Sequence, residues 1–136
     1  MGQLRSRKTE GQIVAKLNTT GTTIGSKLFV KLSSGADLVA LPGADADPLF
    51  GVTLEPIPNN TWGAVQIGPS LAICTAAGAL ATPGALLMSD TAGKVKAWAA
   101  AGGANTSVAG VVNTTASGAD VELEVELAPP FAVKQG

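Results

Sequence analysis

Three sets of side chains in this sequence have types and spacings that can carry chemistry: Asp37, Asp45 and Asp47; Glu122, Glu124 and Glu126; and the lone thiol of Cys74. Asp45 and Asp47 stand two apart before Pro48, and oxygen-rich loops of that kind bind hard cations such as calcium. A calcium loop also needs a bidentate Glu at a fixed distance downstream. None is present, so the stretch reads as a solvated turn and no metal ligand is assigned. Paired acids can also cleave glycosidic bonds, but strict alternation puts Glu122, Glu124 and Glu126 on one exposed strand face. Such a face is either solvated or a docking surface for a basic partner. Cys74 has no second Cys for a disulfide or a metal site, and reads as a buried small hydrophobe.

The chain contains no His, which removes the usual base for an activated Ser or Cys nucleophile. No phosphate-cradling loop is present either, because Gly102-Gly103 is not followed by Gly-Lys-Ser/Thr. No catalytic residue and no cofactor is therefore assigned, and the chain is not expected to be an enzyme. Net charge is −1, without the basic excess that draws a protein to nucleic acid or to a membrane surface. No apolar run is long enough for a membrane span, and no secretory leader is expected. The myristoylation-like start Met1-Gly2-Gln3-Leu4-Arg5-Ser6 reads as an ordinary N-terminus. The sequons at Asn18, Asn59, Asn105 and Asn113 read as loops.

Charge is nonetheless polarised along the chain. Residues 1–31 hold Arg5, Arg7, Lys8, Lys16, Lys27 and Lys31, six of nine basic side chains, whereas 117–127 holds four acids and no base. Residues 1–10 lack hydrophobic periodicity and read as a mobile basic arm, with Arg5, Arg7 and Lys8 as candidate contacts to a partner.

The elements that must position these groups are short and extended. Of the 136 residues, 23 are Ala and 17 Gly, so the core is thin and spread over Val, Leu and Ile on pleated strands. Alternation predicts strands at 13–18, 28–32 and 121–127, the last with four aliphatics on one side and three glutamates on the other. Further strands are expected at 36–41, 49–54, 62–67, 70–75, 85–88, 94–99 and 108–112, separated by Pro, Gly and Asn. Ser89-Asp90-Thr91-Ala92-Gly93-Lys94 reads as a hairpin loop. The expectation is an all-β fold: one compact β-barrel-like domain of short antiparallel strands over 11–130, between the arm at 1–10 and a C-terminal tail at 131–136. An offset of 59 residues relates 25–67 to 84–126, with Gly25 on Gly84, Leu28 on Leu87 and Gly51-Val52 on Gly110-Val111. The large anchors are Phe29, Phe50, Trp62, Trp98 and Phe131, each read as core ahead of interface.

Three stretches read in order carry a resemblance: Leu49-Phe50-Gly51-Val52-Thr53-Leu54, then residues 81–95 with their Pro83-Gly84 entry and Asp90-Thr91-Ala92-Gly93-Lys94 exit, then Val108-Ala109-Gly110-Val111-Val112. With the acidic-aliphatic strand closing on Leu127-Ala128-Pro129-Pro130, residues 25–130 resemble the capsid cement, or head decoration, proteins of tailed bacteriophages. That resemblance implies a β-barrel-like or β-tulip-like domain on the outer surface of the virion, made in the host cytoplasm. It implies the major capsid protein as partner, shell stiffening as function, and homotrimers at local threefold positions. The arm and the Pro56-Ile57-Pro58 loop have no place on the family pattern. Rival readings are a head fibre base, a tail component, and a carbohydrate-binding module using Trp62 and Trp98 as platforms.

Overall fold

The structure, a computed structural model, describes residues 12–45, 47–99 and 105–135. Its first five strands are β1 (Gln12–Asn18), β2 (Phe29–Leu32), β3 (Leu38–Ala40), β4 (Gly51–Thr53) and β5 (Thr61–Ile67). They close into a barrel in the order β1-β3-β2-β4-β5. The longest ladder is antiparallel and joins β1 to β5 from Gln12↔Ile67 to Asn18↔Thr61. One contact departs from the expected antiparallel pattern: β1 and β3 run parallel, pairing Leu17 with Leu38 and Asn18 with Val39. That seam closes the barrel and leaves it no free edge. Ile24, Val30, Val39, Ile57 and Val65 fill the interior.

The second half contains β6 (Ser70–Thr75), β7 (Leu86–Ser89), β8 (Val95–Ala97), β10 (Gly110–Val112) and β11 (Glu122–Leu127), in the order β6-β11-β10-β7-β8. This is the same path as in the barrel. β6 stands for β1, β7 for β2, β8 for β3, β10 for β4 and β11 for β5, and every paired neighbour matches. Even the parallel seam has a counterpart, reduced to the single bridge Ala76↔Val95 where the barrel pairs Asn18 with Val39. The bridge Ile24↔Ile57 is likewise matched by Leu80↔Ala116.

Register, however, shifts the equivalence along the chain instead of holding it at one offset. Val30 pairs with Gly51 and Leu87 with Gly110, so Val30 corresponds to Leu87 and not to the residue 59 places on. Val52 pairs with Gln66 and Val111 with Glu126, so the last strand slips by one further place. Lys27, not Gly25, therefore matches Gly84, and the two share a left-handed backbone, φ 61° and 83°. Loops of different length absorb the difference.

A third, two-stranded ribbon pairs β9 (Asn105–Ser107) with β12 (Val133–Gln135). The sequence predicts neither, and residues 133–135 were expected in a tail. Asn-Thr-Ser carries no apolar alternation, so only the partner strand makes it extended. The hairpin loop forms as expected: the Asp90 carboxylate accepts the N–H groups of Ala92 and Lys94, both at 2.9 Å, and Gly93 turns the chain at φ 81°.

The larger core joins the halves. Phe29, Leu49 and Val52 on the outside of the barrel are buried with Ala72, Cys74, Leu87, Val112, Leu123, Val125 and Leu127. The Gly93 carbonyl at the hairpin tip accepts the Phe29 N–H at 2.8 Å, which seats the second half on the first. Val121 was expected to face the core with Leu123, but is 37% exposed. The left-handed residue Asp120, φ 65°, lies just before it, and the strand begins only at Glu122.

Candidate docking surfaces

The five large rings divide among core, surface and half-buried positions. Phe29 is core, 2% exposed at the junction of the halves. Trp62 and Phe131 are surface groups, 54% and 48% exposed, so the core-first reading fails for both. Trp62 lies on the outer side of the β1–β5 ladder, where strand alternation points it away from the barrel interior that Gly63 and Val65 face. Beside it runs an open groove of about 380 Å3 lined by Ile13, Ala15, Glu55 and Ala64. Phe50 is half-buried. Its ring lies 6.0 Å from that of Phe131, tilted by 46°, and the Lys16 ammonium sits 5.1 Å from its centroid.

Phe131 is held outward by its backbone. Its φ is 65°, a conformation that costs a residue with a Cβ about 1–2 kcal/mol. Two hydrogen bonds fix the turn: Phe131 N–H donates to the Leu49 carbonyl at 2.8 Å, and Ala132 N–H to the Pro129 carbonyl at 3.2 Å. Val133 is 51% exposed as well. Trp98 is half-buried, and the Lys134 ammonium stands 4.8 Å from its ring centroid. Of the two indoles that a sugar platform would use, one is thus already engaged.

Charge is largely spent inside the molecule. Lys16 pairs with Asp37, Lys27 with Glu122, Lys31 with Asp47, Lys94 with Asp120 and Lys96 with Asp45. Two of these, Lys27–Glu122 and Lys96–Asp45, link the halves. The Asp47 carboxylate also accepts the N–H groups of Gly43 and Ala44 at 2.7 and 3.1 Å. The bond from Lys31, 2.9 Å, is the main cause that holds the Asp47 carboxyl below its ordinary value. The aspartates that resembled a cation loop are therefore bound to lysines and backbone amides, and the described residues contain no group of three His, Cys, Asp or Glu placed to hold a metal. Lys94 is correspondingly held above its ordinary value, first by its hydrogen bond from the ammonium to Asp120.

On β11, Leu123, Val125 and Leu127 are buried, while Glu122 and Glu126 are exposed and Glu124 half-exposed. Glu124 accepts the Asn113 side-chain amide at 2.8 Å. Cys74 is fully buried, and burial alone pushes its thiol far up, which keeps it protonated and unreactive. The candidate contacts Arg5, Arg7 and Lys8 lie outside the described residues.

Asn18 is the polar residue that the sequence misplaced. It ends β1 fully buried, not in an exposed loop. Its amide donates to the Thr22 and Ile57 carbonyls, both at 2.7 Å, and its oxygen accepts Thr20 N–H and Thr20 Oγ1–H at 2.9 and 2.7 Å. Every polar atom is satisfied, so the side chain acts as a clamp on the barrel end. Only the Asn-Thr-Thr-Gly-Thr turn chemistry hinted at it.

No family model matches this chain, and no curated protein matches it. Among solved structures, it resembles the crystal structure of the head fibre gp8.5 N base of bacteriophage phi29, with a TM-score of 0.65. The likeness covers 89% of this chain and 97% of that one at 12% sequence identity, so what the two have in common is the fold.

Proposed function

We propose that this chain is a structural protein of a tailed-phage head, a cement protein that binds the outer surface of the assembled shell and bridges neighbouring major capsid subunits. The fold it has in common with a head fibre base, over 89% of its length, carries the reading. The sequence resemblance to head decoration proteins supports it independently. The role is mechanical: many weak contacts to the assembled shell stabilise that shell by mass action. In this reading the partner is the major capsid protein, occupied in threes at local threefold positions, and no cofactor takes part.

The capsid contacts are the outward Phe131, with the half-buried Phe50 behind it, and the basic side chains Arg5, Arg7 and Lys8. Ion pairing supports that choice. Five of the six described lysines pair with acids of the chain itself and the sixth stands over Trp98, which turns the choice of basic contacts toward Arg5, Arg7 and Lys8 of the sequence.

A second reading is the base of a head fibre, favoured by the identity of the structural neighbour. Co-sedimentation with expanded empty shells, with and without residues 1–10, tests the proposal. Saturable binding to shells but not to free capsid subunits, with a raised temperature of shell disruption, is the expected result. Binding that leaves shell stability unchanged assigns the fibre base instead, and no binding to any shell sinks both.

A further inference from the structure

β1 begins at Gln12, and residues 1–11 precede it outside the described residues. Beside that end of the strand the outer face of the β1–β5 ladder is open. Ile13 and Trp62 are 52% and 54% exposed there, and the opposed pair Ala15 and Ala64 lines the groove of about 380 Å3 beside them. Glu55 belongs to the same groove, and its carboxylate accepts the Ala64 N–H at 3.0 Å. It enters none of the five ion pairs between described residues, so the groove sets an acid that no described base neutralises among exposed apolar groups and an indole.

That combination selects one kind of occupant. An indole face and a carboxylate together bind guanidinium groups, one by stacking and the other by charge-assisted hydrogen bonds. The segment joined to Gln12 carries Arg5 and Arg7 two residues apart, hence on one face of an extended chain, with Lys8 on the other. Register brings the arginines to these groups. Glu55 bonds Ala64, which pairs with Ala15, and Trp62 pairs with Leu17. A chain that reverses at Gly11 and retraces β1 sets Arg7 level with Ala15 and Arg5 level with Leu17. Glycine is the residue best suited to such a reversal. The retraced stretch, Arg5 to Gly11, spans about 20 Å when extended, the same length as the strand it covers.

We propose that residues 1–11 of the free protein fold back over this outer face, with the Arg7 guanidinium on the Glu55 carboxylate and the Arg5 guanidinium stacked on the Trp62 indole. The aliphatic stems of the two arginines lie along Ile13 and Ala15, which covers apolar surface while the charged ends stay at the rim. A tether this short holds the bases at an effective concentration of roughly 1 mM, so even a weak site is half filled. The contact is electrostatic at a solvated surface and gives way as salt rises. In the cement reading the groove holds the same bases until a shell surface competes for them, but the inference concerns the chain alone and does not rest on that reading.

A nitroxide on Ser6→Cys, between the two arginines, tests it in the full chain by its broadening of the Trp62 indole N–H signal, which Trp62→Phe identifies. Cys74 is buried, so the label attaches at position 6 alone. At about 50 mM salt the signal should lose at least about half its intensity, and at about 1 M salt it should return. Dilution by about tenfold should change nothing, because the contact lies within one chain. The double variant Arg5→Gln with Arg7→Gln, which alters no residue of the strands, should restore the signal, as should Glu55→Gln. Lys8→Gln, on the opposite face of the segment, should leave the broadening in place. A Trp62 signal untouched by the label overturns the proposal. So does broadening that fades on dilution, which assigns the groove to a second copy, and so does broadening that survives the arginine and Glu55 variants or is lost equally in Lys8→Gln.

Discussion

Gly51 and Gly110 occupy the same point in the two sheets, each pressed against a carbonyl of the strand beside it. A Cβ on Gly51 would stand 2.5 Å from the Gln66 carbonyl, and one on Gly110 would collide in the same way with the carbonyl of Glu126. Gln66 and Glu126 are themselves counterparts. The Gly-Val pairs seen in the sequence at 51–52 and 110–111 thus have one physical cause: the strand can approach its neighbour only without a side chain there.

Alanine at either glycine should therefore cost about 1–3 kcal/mol, because the obstacle is backbone and cannot swing aside. Gly78 and Gly118 have open space where a Cβ would go, and alanine there should fall within about 0.5 kcal/mol of the parent. Urea unfolding of the four variants checks the contrast, and equal midpoints would refute it.

Asn18→Ala should destabilise the barrel by about 1–2 kcal/mol: the Ile57 carbonyl keeps the Ile24 N–H, but the side-chain bonds to Thr20 and Thr22 are lost with the one to Ile57. Asn18→Asp should be no better, as it replaces the amide donor by a charge at a fully buried site. Thermal unfolding of both variants provides the measurement, and a Tm near that of the parent would show that the clamp is dispensable.

Phe29→Ala should cost about 3–4 kcal/mol by opening a cavity at the junction of the halves, whereas Phe131→Ala should cost under about 1 kcal/mol because its ring is half exposed. The strained φ of Phe131 adds a test of its own. Phe131→Gly should recover part of the backbone cost, leaving stability at or above that of Phe131→Ala in the same denaturant titration.

Asp47 should make stability fall on the acid side. Its folded-state pKa lies below the ordinary value of 3.8, so the ionised form favours the fold. The contribution is complete above about pH 5, where the carboxylate is ionised in both states, and disappears as pH falls through the lowered folded value. The stability gap between the parent and Asp47→Asn should therefore be present at pH 6 and shrink as pH falls below the ordinary value of 3.8. A gap that does not change with pH would assign the effect to lost hydrogen-bond geometry instead.

Local signals in the sequence sufficed for the all-β class, ten strand positions, the Asp90–Gly93 hairpin turn and the inert Cys74. Each depends on alternation, turn chemistry or residue type within a few positions, which neighbouring residues alone express. The Asp45 and Asp47 carboxylates, read as solvated, are instead bound by Lys96 and Lys31, partners that lie far along the chain. Tertiary structure decided what depends on distant pairing. It made strands of the polar segment Asn105–Ser107 and the tail Val133–Gln135, buried Asn18, and put Trp62 and Phe131 outside while Phe29 went in. It also set the true correspondence of the halves, which no fixed offset can express, because loops of unequal length shift the numbering while hydrogen-bond register keeps the strands in step.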